Sequence, residues 1–299
     1  MKTIGLDLKL LDKVYSKVDK TVKFVFLSRG QIIEFSYINK DDGKDIICVP
    51  VQTACNLMCE FCFLSDYDLQ VRNLTPKEIA PCIDYVVQDL NLLTRLNRNK
   101  VFLISFMGCG EPLLNIQNVI ESCRQIRDKY QKNYQVVRFA VASLIPKMEL
   151  MEKFVDSVRK NQIPLKFHLS LHSPDFKARK WLMPAASSIR ESIDAVLYFM
   201  KCTNNSAEIH YALIDGVNDR EEDLFKLVEL LKNRNIPIKF LVYNKKPSAS
   251  FIKSPRIDYF RKILEKEGIA TEFYIPPGAD IGSSCGQFLM DYYEKYNKK

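Results

Sequence analysis

Three cysteines stand within eight residues, Cys55, Cys59 and Cys62, in the spacing C-x3-C-x2-C. A short apolar run over 46–52 precedes them, and an aromatic residue precedes the last. Thiolates at this spacing suit three irons of a cubane and leave its fourth iron open to another ligand. Zinc is the competing occupant, but structural zinc wants four ligands, usually in two separated pairs. No C-x2-C or C-x3-H partner lies nearby. The spacing therefore predicts a [4Fe–4S] cluster on Cys55, Cys59 and Cys62. A second group, Gly108-Cys109-Gly110-Glu111-Pro112, could serve a bound amine. Its glycines permit close backbone approach, and its carboxylate accepts from an ammonium.

These groups need a frame that brings loops together. Apolar, β-branched runs recur over 46–52, 101–107, 136–142, 165–170, 208–214 and 237–243. Between them lie segments with helical spacing, over 77–93, 116–129, 147–160, 189–200 and 220–232. Strands alternating with helices imply parallel βα units. Six such units predict an α/β fold, a partial (βα)6 TIM-like barrel with its site at the C-terminal strand ends. Both motifs fall at such ends. Ahead of the barrel, runs over 21–27 and 31–38 flank Ser28-Arg29-Gly30 and predict a hairpin. After it, 255–268 predicts a helix, Pro276-Pro277-Gly278 a loop, and 287–296 a last helix. The expected domains are an N-terminal hairpin extension (1–44), a core barrel (45–250) and a C-terminal loop–helix extension (251–299).

The net charge is +8, from 44 Lys and Arg against 36 Asp and Glu. That fits an anionic partner such as RNA, and it equally fits ordinary solubility. Lys245, Lys246, Lys253, Arg256 and Lys262 are the candidate phosphate contacts. No apolar run is long enough to span a bilayer and no secretory leader is seen, so a cytoplasmic monomer with no membrane partner is expected. Nine cysteines in such a setting point to metal binding or redox chemistry rather than a disulfide framework.

Several motifs in order resemble the RlmN/Cfr group of radical S-adenosylmethionine (SAM) RNA methyltransferases, over roughly Phe26 to Gln287. Cys48-Val49-Pro50-Val51-Gln52-Thr53-Ala54-Cys55 resembles the family's C-V-S-S-Q-V-G-C. Residues 106–115, Phe-Met-Gly-Cys-Gly-Glu-Pro-Leu-Leu-Asn, resemble F-M-G-M-G-E-P-L-L-N. Ser170-Leu171-His172-Ser173-Pro174 resembles S-L-H-A-P, and Asn244 follows the sixth strand as a family asparagine does. Residues 278–287, Gly-Ala-Asp-Ile-Gly-Ser-Ser-Cys-Gly-Gln, resemble G-D-D-I-x-A-A-C-G-Q.

The resemblance implies a radical SAM methyltransferase acting on carbon 2 or carbon 8 of an adenine in rRNA or tRNA. Its cofactors would be the [4Fe–4S] cluster and SAM, with electrons from a donor such as flavodoxin or ferredoxin. Gly110, Glu111, Ser170, Leu171, His172 and Asn244 would hold SAM. Cys285 would carry the methyl group, Cys48 would resolve the protein–RNA adduct as a disulfide, and Glu34 would accept a proton. A radical SAM enzyme of another class, acting on a peptide or small molecule without the relay, is the competing reading. It draws on the departures. The family's N-terminal accessory domain has no room here, and Pro277 replaces an arginine. Ala140-Val141-Ala142 stands where the family has S-T-S, expected just after the third strand, which removes a hydroxyl worth about 0.5–1.5 kcal/mol.

Overall fold

The computed structural model describes residues 2–5, 7–40, 43–68, 70–93, 100–246, 248–284, 286–287 and 292. Cys285, and nearly all of the helix expected over 287–296, lie outside the described residues.

The chain opens with five strands: β1 (Lys2–Gly5), β2 (Leu8–Tyr15), β3 (Val22–Ser28), β4 (Gln31–Lys40) and β5 (Lys44–Cys48). Helices and strands then alternate: α1 (Pro76–Asp89), β6 (Val101–Phe106), α2 (Ile116–Tyr130), β7 (Val136–Ser143), α3 (Met148–Lys160) and β8 (Leu165–Ser170). Two helices follow, α4 (Phe176–Leu182) and α5 (Ile189–Thr203). The last elements are β9 (Ala207–Leu213), α6 (Glu221–Leu231), β10 (Ile238–Val242), α7 (Ile257–Lys266) and β11 (Thr271–Tyr274). All eleven strands form one sheet in sequence order. Pairing is antiparallel from β1 to β5 and parallel from β5 to β11.

Strands β5 to β10 are the six expected barrel strands. The N-terminal region holds the expected hairpin, β3–β4, and two further strands. The segment after residue 250 adds β11 beside β10, so the sheet continues through both expected extensions. Short, mixed-polarity strands such as β1 and β11 carry too little apolar alternation to stand out in the sequence.

Alternation gives the sheet two faces. On the outer face Phe167 packs against Phe154 of α3 and Phe199 of α5, and Phe240 packs against Phe260 of α7. The inner face carries the polar groups. One register row crosses it, Lys23–Ser36–Cys48–Ser105–Ala140–Lys166. Helix α1 starts on a capping box, Thr75 with Glu78, and Glu78 also accepts from Ser28 Oγ at 2.6 Å. That bond ties the hairpin to the barrel. No helix among the described residues is long and apolar enough to cross a membrane.

Candidate active site

The cysteine loop begins where β5 ends. Val49 N donates to Ser105 O at 2.8 Å and Val51 N to Cys109 O at 2.8 Å, while Gly108 N donates back to Val49 O at 3.1 Å. Asn115 Nδ2 bonds both Val51 O (2.8 Å) and Leu74 O (2.9 Å). The G-x-G-E-P segment is thus laced to the start of the cysteine loop. A Cβ on Gly108 would lie 2.8 Å from the Val49 and Pro50 backbone, and Gly110 has φ +97° with Gln52 as close. These glycines are required by loop against loop.

Within the loop Cys62 N donates to Cys59 O at 3.0 Å, and Glu60 N to Leu182 O at the end of α4 at 2.9 Å. Lys246 Nζ donates to Ser65 Oγ (2.8 Å), Asp66 Oδ1 (2.7 Å) and Cys62 O (3.4 Å). Burial pushes the Cys55 thiol up to about 12 and raises those of Cys59 and Cys62. Such thiols are poor free nucleophiles, and a bound cation would deprotonate them outright.

The donor set also discriminates between occupants. A single zinc, with Zn–S about 2.3 Å, holds tetrahedral thiolates about 3.8 Å apart. Among the described residues, the only His/Cys/Asp/Glu group whose donor atoms all lie within 4.8 Å of one another is His168, Glu208 and His210. The three cysteine sulfurs are spread wider, as ligands to three different irons must be. They fit a cubane.

Glu111 is buried, with Oε1 accepting from Leu113 N (3.0 Å) and Oε2 from Leu144 N (3.2 Å). Burial pushes its carboxyl up to about 7 despite these bonds, so an ammonium beside it would be needed to keep it charged at neutral pH. His172 adopts φ +48° at the end of β8. Its Nδ1 accepts from Ala212 N at 2.9 Å, leaving the Nε2–H tautomer, and its ring meets Phe61 edge-on at 4.9 Å. Leu171 turns its side chain into the main core, so only its backbone is left for a ligand. Asn244 is half-buried just beyond β10.

The N-terminal strands bring Cys48 near this loop. Cys48 packs with Cys109, Leu64, Cys55 and Cys62. Its cross-strand partner Ser36 shares a 2.7 Å bond with Ser283 Oγ, and Phe63 N donates to Gly286 O at 2.9 Å. Residues on both sides of position 285 are thereby fixed, one to the neighbour of Cys48 and one to the neighbour of Cys62. Glu34 is buried, and its Oε1 lies 3.9 Å from the equally buried Lys23 Nζ.

Two sequence expectations need correction. Lys246 and Arg256 are engaged: the first clamps the cysteine loop, and the second bonds Asp219 O and Glu221. Lys245, Lys253 and Lys262 remain exposed. Ala140 lies inside β7, three residues short of its end, not just after a strand. The hydroxyl at the strand end is Ser143, which bonds Glu111. Sequence reading also passed over Arg179 and the group His168, Glu208 and His210. Alternating polar residues in β8 and β9 were the available signal for the latter.

The radical SAM superfamily model matches residues 49–228. The chain is 36% identical over 292 residues to a probable dual-specificity RNA methyltransferase RlmN of Thermotoga sp. (strain RQ2), covering 95% of this chain and 80% of that one. It is 33% identical to the probable RlmN of Clostridioides difficile (strain 630), covering 96% and 80%. Among solved structures, a radical SAM methyltransferase from Sphaerobacter thermophilus superposes with a TM-score of 0.82 at 27% identity, covering 94% of this chain and 81% of that one. This chain belongs to the radical SAM superfamily and, within it, to the RlmN methyltransferase family, whose cofactors are a [4Fe–4S] cluster and SAM.

Proposed function

We propose that the protein methylates a ring carbon of an adenine in RNA, with Cys285 as methyl carrier and Cys48 as resolving thiol. The observation that carries this reading is the pair of bonds flanking position 285, Ser36 with Ser283 and Phe63 with Gly286. They draw a remote C-terminal loop to β4, at the residue paired with Cys48 of β5, and to the cysteine loop. Cys55, Cys59 and Cys62 would hold the cluster, and Glu111, Ser170, His172, Asn244 and the Gly110 backbone would hold SAM. When bound, cluster and SAM together supply a methyl group and one-electron hydrogen abstraction.

The chain's own residues divide the remaining work. Cys285 Sγ accepts the methyl group and carries its carbon to the base. Glu34 takes the proton lost from the ring carbon, and the unpaired electron of the adduct would return to the bound cofactor. The Cys48 thiolate then attacks the Cys285 sulfur: an S–S bond forms, the C–S bond breaks, and the electron pair leaves with the carbon, which takes a proton, the one held by Glu34 or one from water, and becomes the methyl group of the base. External thiols reduce the disulfide for the next turnover. Burial of Glu34 and Lys23 together supports a role beyond stability, since such pairs rarely repay their desolvation.

The test is mass spectrometry of two products after anaerobic incubation with SAM, reductant and RNA. The Cys285 peptide should gain a methyl group and the RNA should gain methyladenine. SAM cleavage with neither product would favour an enzyme acting on a peptide or small molecule.

A further inference from the structure

Arg179 is 3% exposed, on the second turn of α4. Asp175 caps the helix, accepting from Lys177 N and Ala178 N at 3.0 Å each, so α4 starts directly after the Ser170–Pro174 segment. From this position the guanidinium reaches back. Nη1 donates to Ser170 O at 3.0 Å and to Leu171 O, and Nε donates to Ser187 O at 3.4 Å. Three carbonyls hold the fork still. The remaining nitrogen, Nη2, is buried with no acceptor. Among the described residues no carboxylate pairs with it.

Its helix borders the cysteine loop, and its guanidinium acts electrostatically on Cys59. One turn on, Met183 N bonds Arg179 O, and Leu182 and Met183 pack against Cys59. Leu182 O accepts from Glu60 N, and the nearby His172 ring rests on Phe61. Lys246 offers the contrast. It too approaches a loop cysteine, but Asp66 neutralises it at 2.7 Å. A buried, uncompensated guanidinium with an orphan donor is costly. Arginine does not escape that cost by deprotonating in proteins.

We infer that Arg179 is the counter-ion of the iron–sulfur cluster, a positioning residue that makes the cluster easier to reduce. A cubane on three thiolates is a net anion, and its negative charge rises by one on reduction. A fixed cation beside the Cys59 thiolate therefore stabilises the reduced form more than the oxidised form. The carbonyl clamp keeps that cation in place when the electron arrives, so no reorganisation is needed.

The inference rests on Cys55, Cys59 and Cys62 holding the cluster, and the experiment separates the two. The protein is reconstituted anaerobically without SAM or RNA, its iron is counted, and the cluster is titrated by EPR at set potentials. A wild type without iron would sink the cysteine assignment itself. With iron bound, Arg179→Gln should titrate at a more negative potential. At the wild-type midpoint its reduced-to-oxidised ratio should fall about tenfold, about 59 mV for one electron. Arg179→Lys, which keeps charge but not the fork, should stay close to wild type. Loss of iron in the Gln variant with retention in the Lys variant would equally support the counter-ion. Equal potentials in wild type and Gln variant would overturn it. So would equal shifts, or equal losses of iron and stability, in both variants, because shape rather than charge would then decide. A shift that appears only after SAM is added would assign Arg179 to SAM and overturn the inference.

Discussion

The cysteine loop and the group His168–Glu208–His210 both gather metal-ligand side chains, and they are built in opposite ways. In the second group the facing donors already bond one another, although His168 Nε2 is buried without a partner. His168 Nδ1 lies 2.7 Å from His210 Nε2 and 2.9 Å from Glu208 Oε1. Lys166 and Lys239 also bond Glu208, and Lys239 reaches Glu272 at 3.0 Å. Two ammoniums on one carboxylate leave no charge for a dication to balance. In the cysteine loop the thiols are spread, raised by burial, and have an unpaired cation beside them. Closeness of ligand types is thus a poorer guide to a metal than unmet electrostatic need.

The contrast can be broken most forcefully at the ligands. Replacing any one of Cys55, Cys59 or Cys62 by Ala should take anaerobically reconstituted protein from about four irons per chain to nearly none. The variant Glu208→Gln should keep its iron. It should instead lose about 3 kcal/mol of stability in urea, because two lysines are left beside a neutral amide. Iron loss in Glu208→Gln with iron retained in Cys59→Ala would reverse the assignment.

Acid sharpens the same point. Burial, with His210 beside it, pulls His168 down to about 3. The groups facing it are Glu208, His210, Lys166 and Lys239. The unfolded chain protonates this imidazole near 6.5 and the folded chain only near 3, so unfolding takes up a proton between those values. Stability should therefore fall as pH drops, by about 2 kcal/mol from pH 6.5 to 5 for this group. Urea midpoints of His168→Gln should show a flatter pH profile than wild type, and an unchanged slope would contradict the buried neutral ring. The smallest expected effect is at Ala140. A hydroxyl there sits inside β7 in register with Ser105 and Lys166, so Ala140→Ser should change SAM affinity by less than about 0.5 kcal/mol. Tightening beyond that, by calorimetry, would put residue 140 in the SAM site.

Much of this was legible in the chain. The six barrel strands show because both outer-face packing and strand length leave apolar runs between helical segments. The cysteine spacing shows because three irons demand it locally. What stayed hidden depends on long-range register. Ser36 gains meaning only opposite Cys48 and beside Ser283. Arg179 looks like any helix-surface arginine until its three carbonyls come from Ser170, Leu171 and Ser187. Helix α4 was missed for a related reason, since seven residues after a Pro give too short a period to read. Lys246 and Arg256 read as a basic patch because sequence shows charge but not the carboxylate that neutralises it.

The most direct test is a comparison of two cysteine variants expressed in cells. Cys285→Ala should purify without RNA, because no carrier sulfur remains. Cys48→Ala should purify with RNA covalently attached through residue 285, because the adduct forms and nothing resolves it. Mass spectrometry of the digested protein reads both. Cys48→Ala turning over at the wild-type rate, with no attached nucleotide, would contradict the relay.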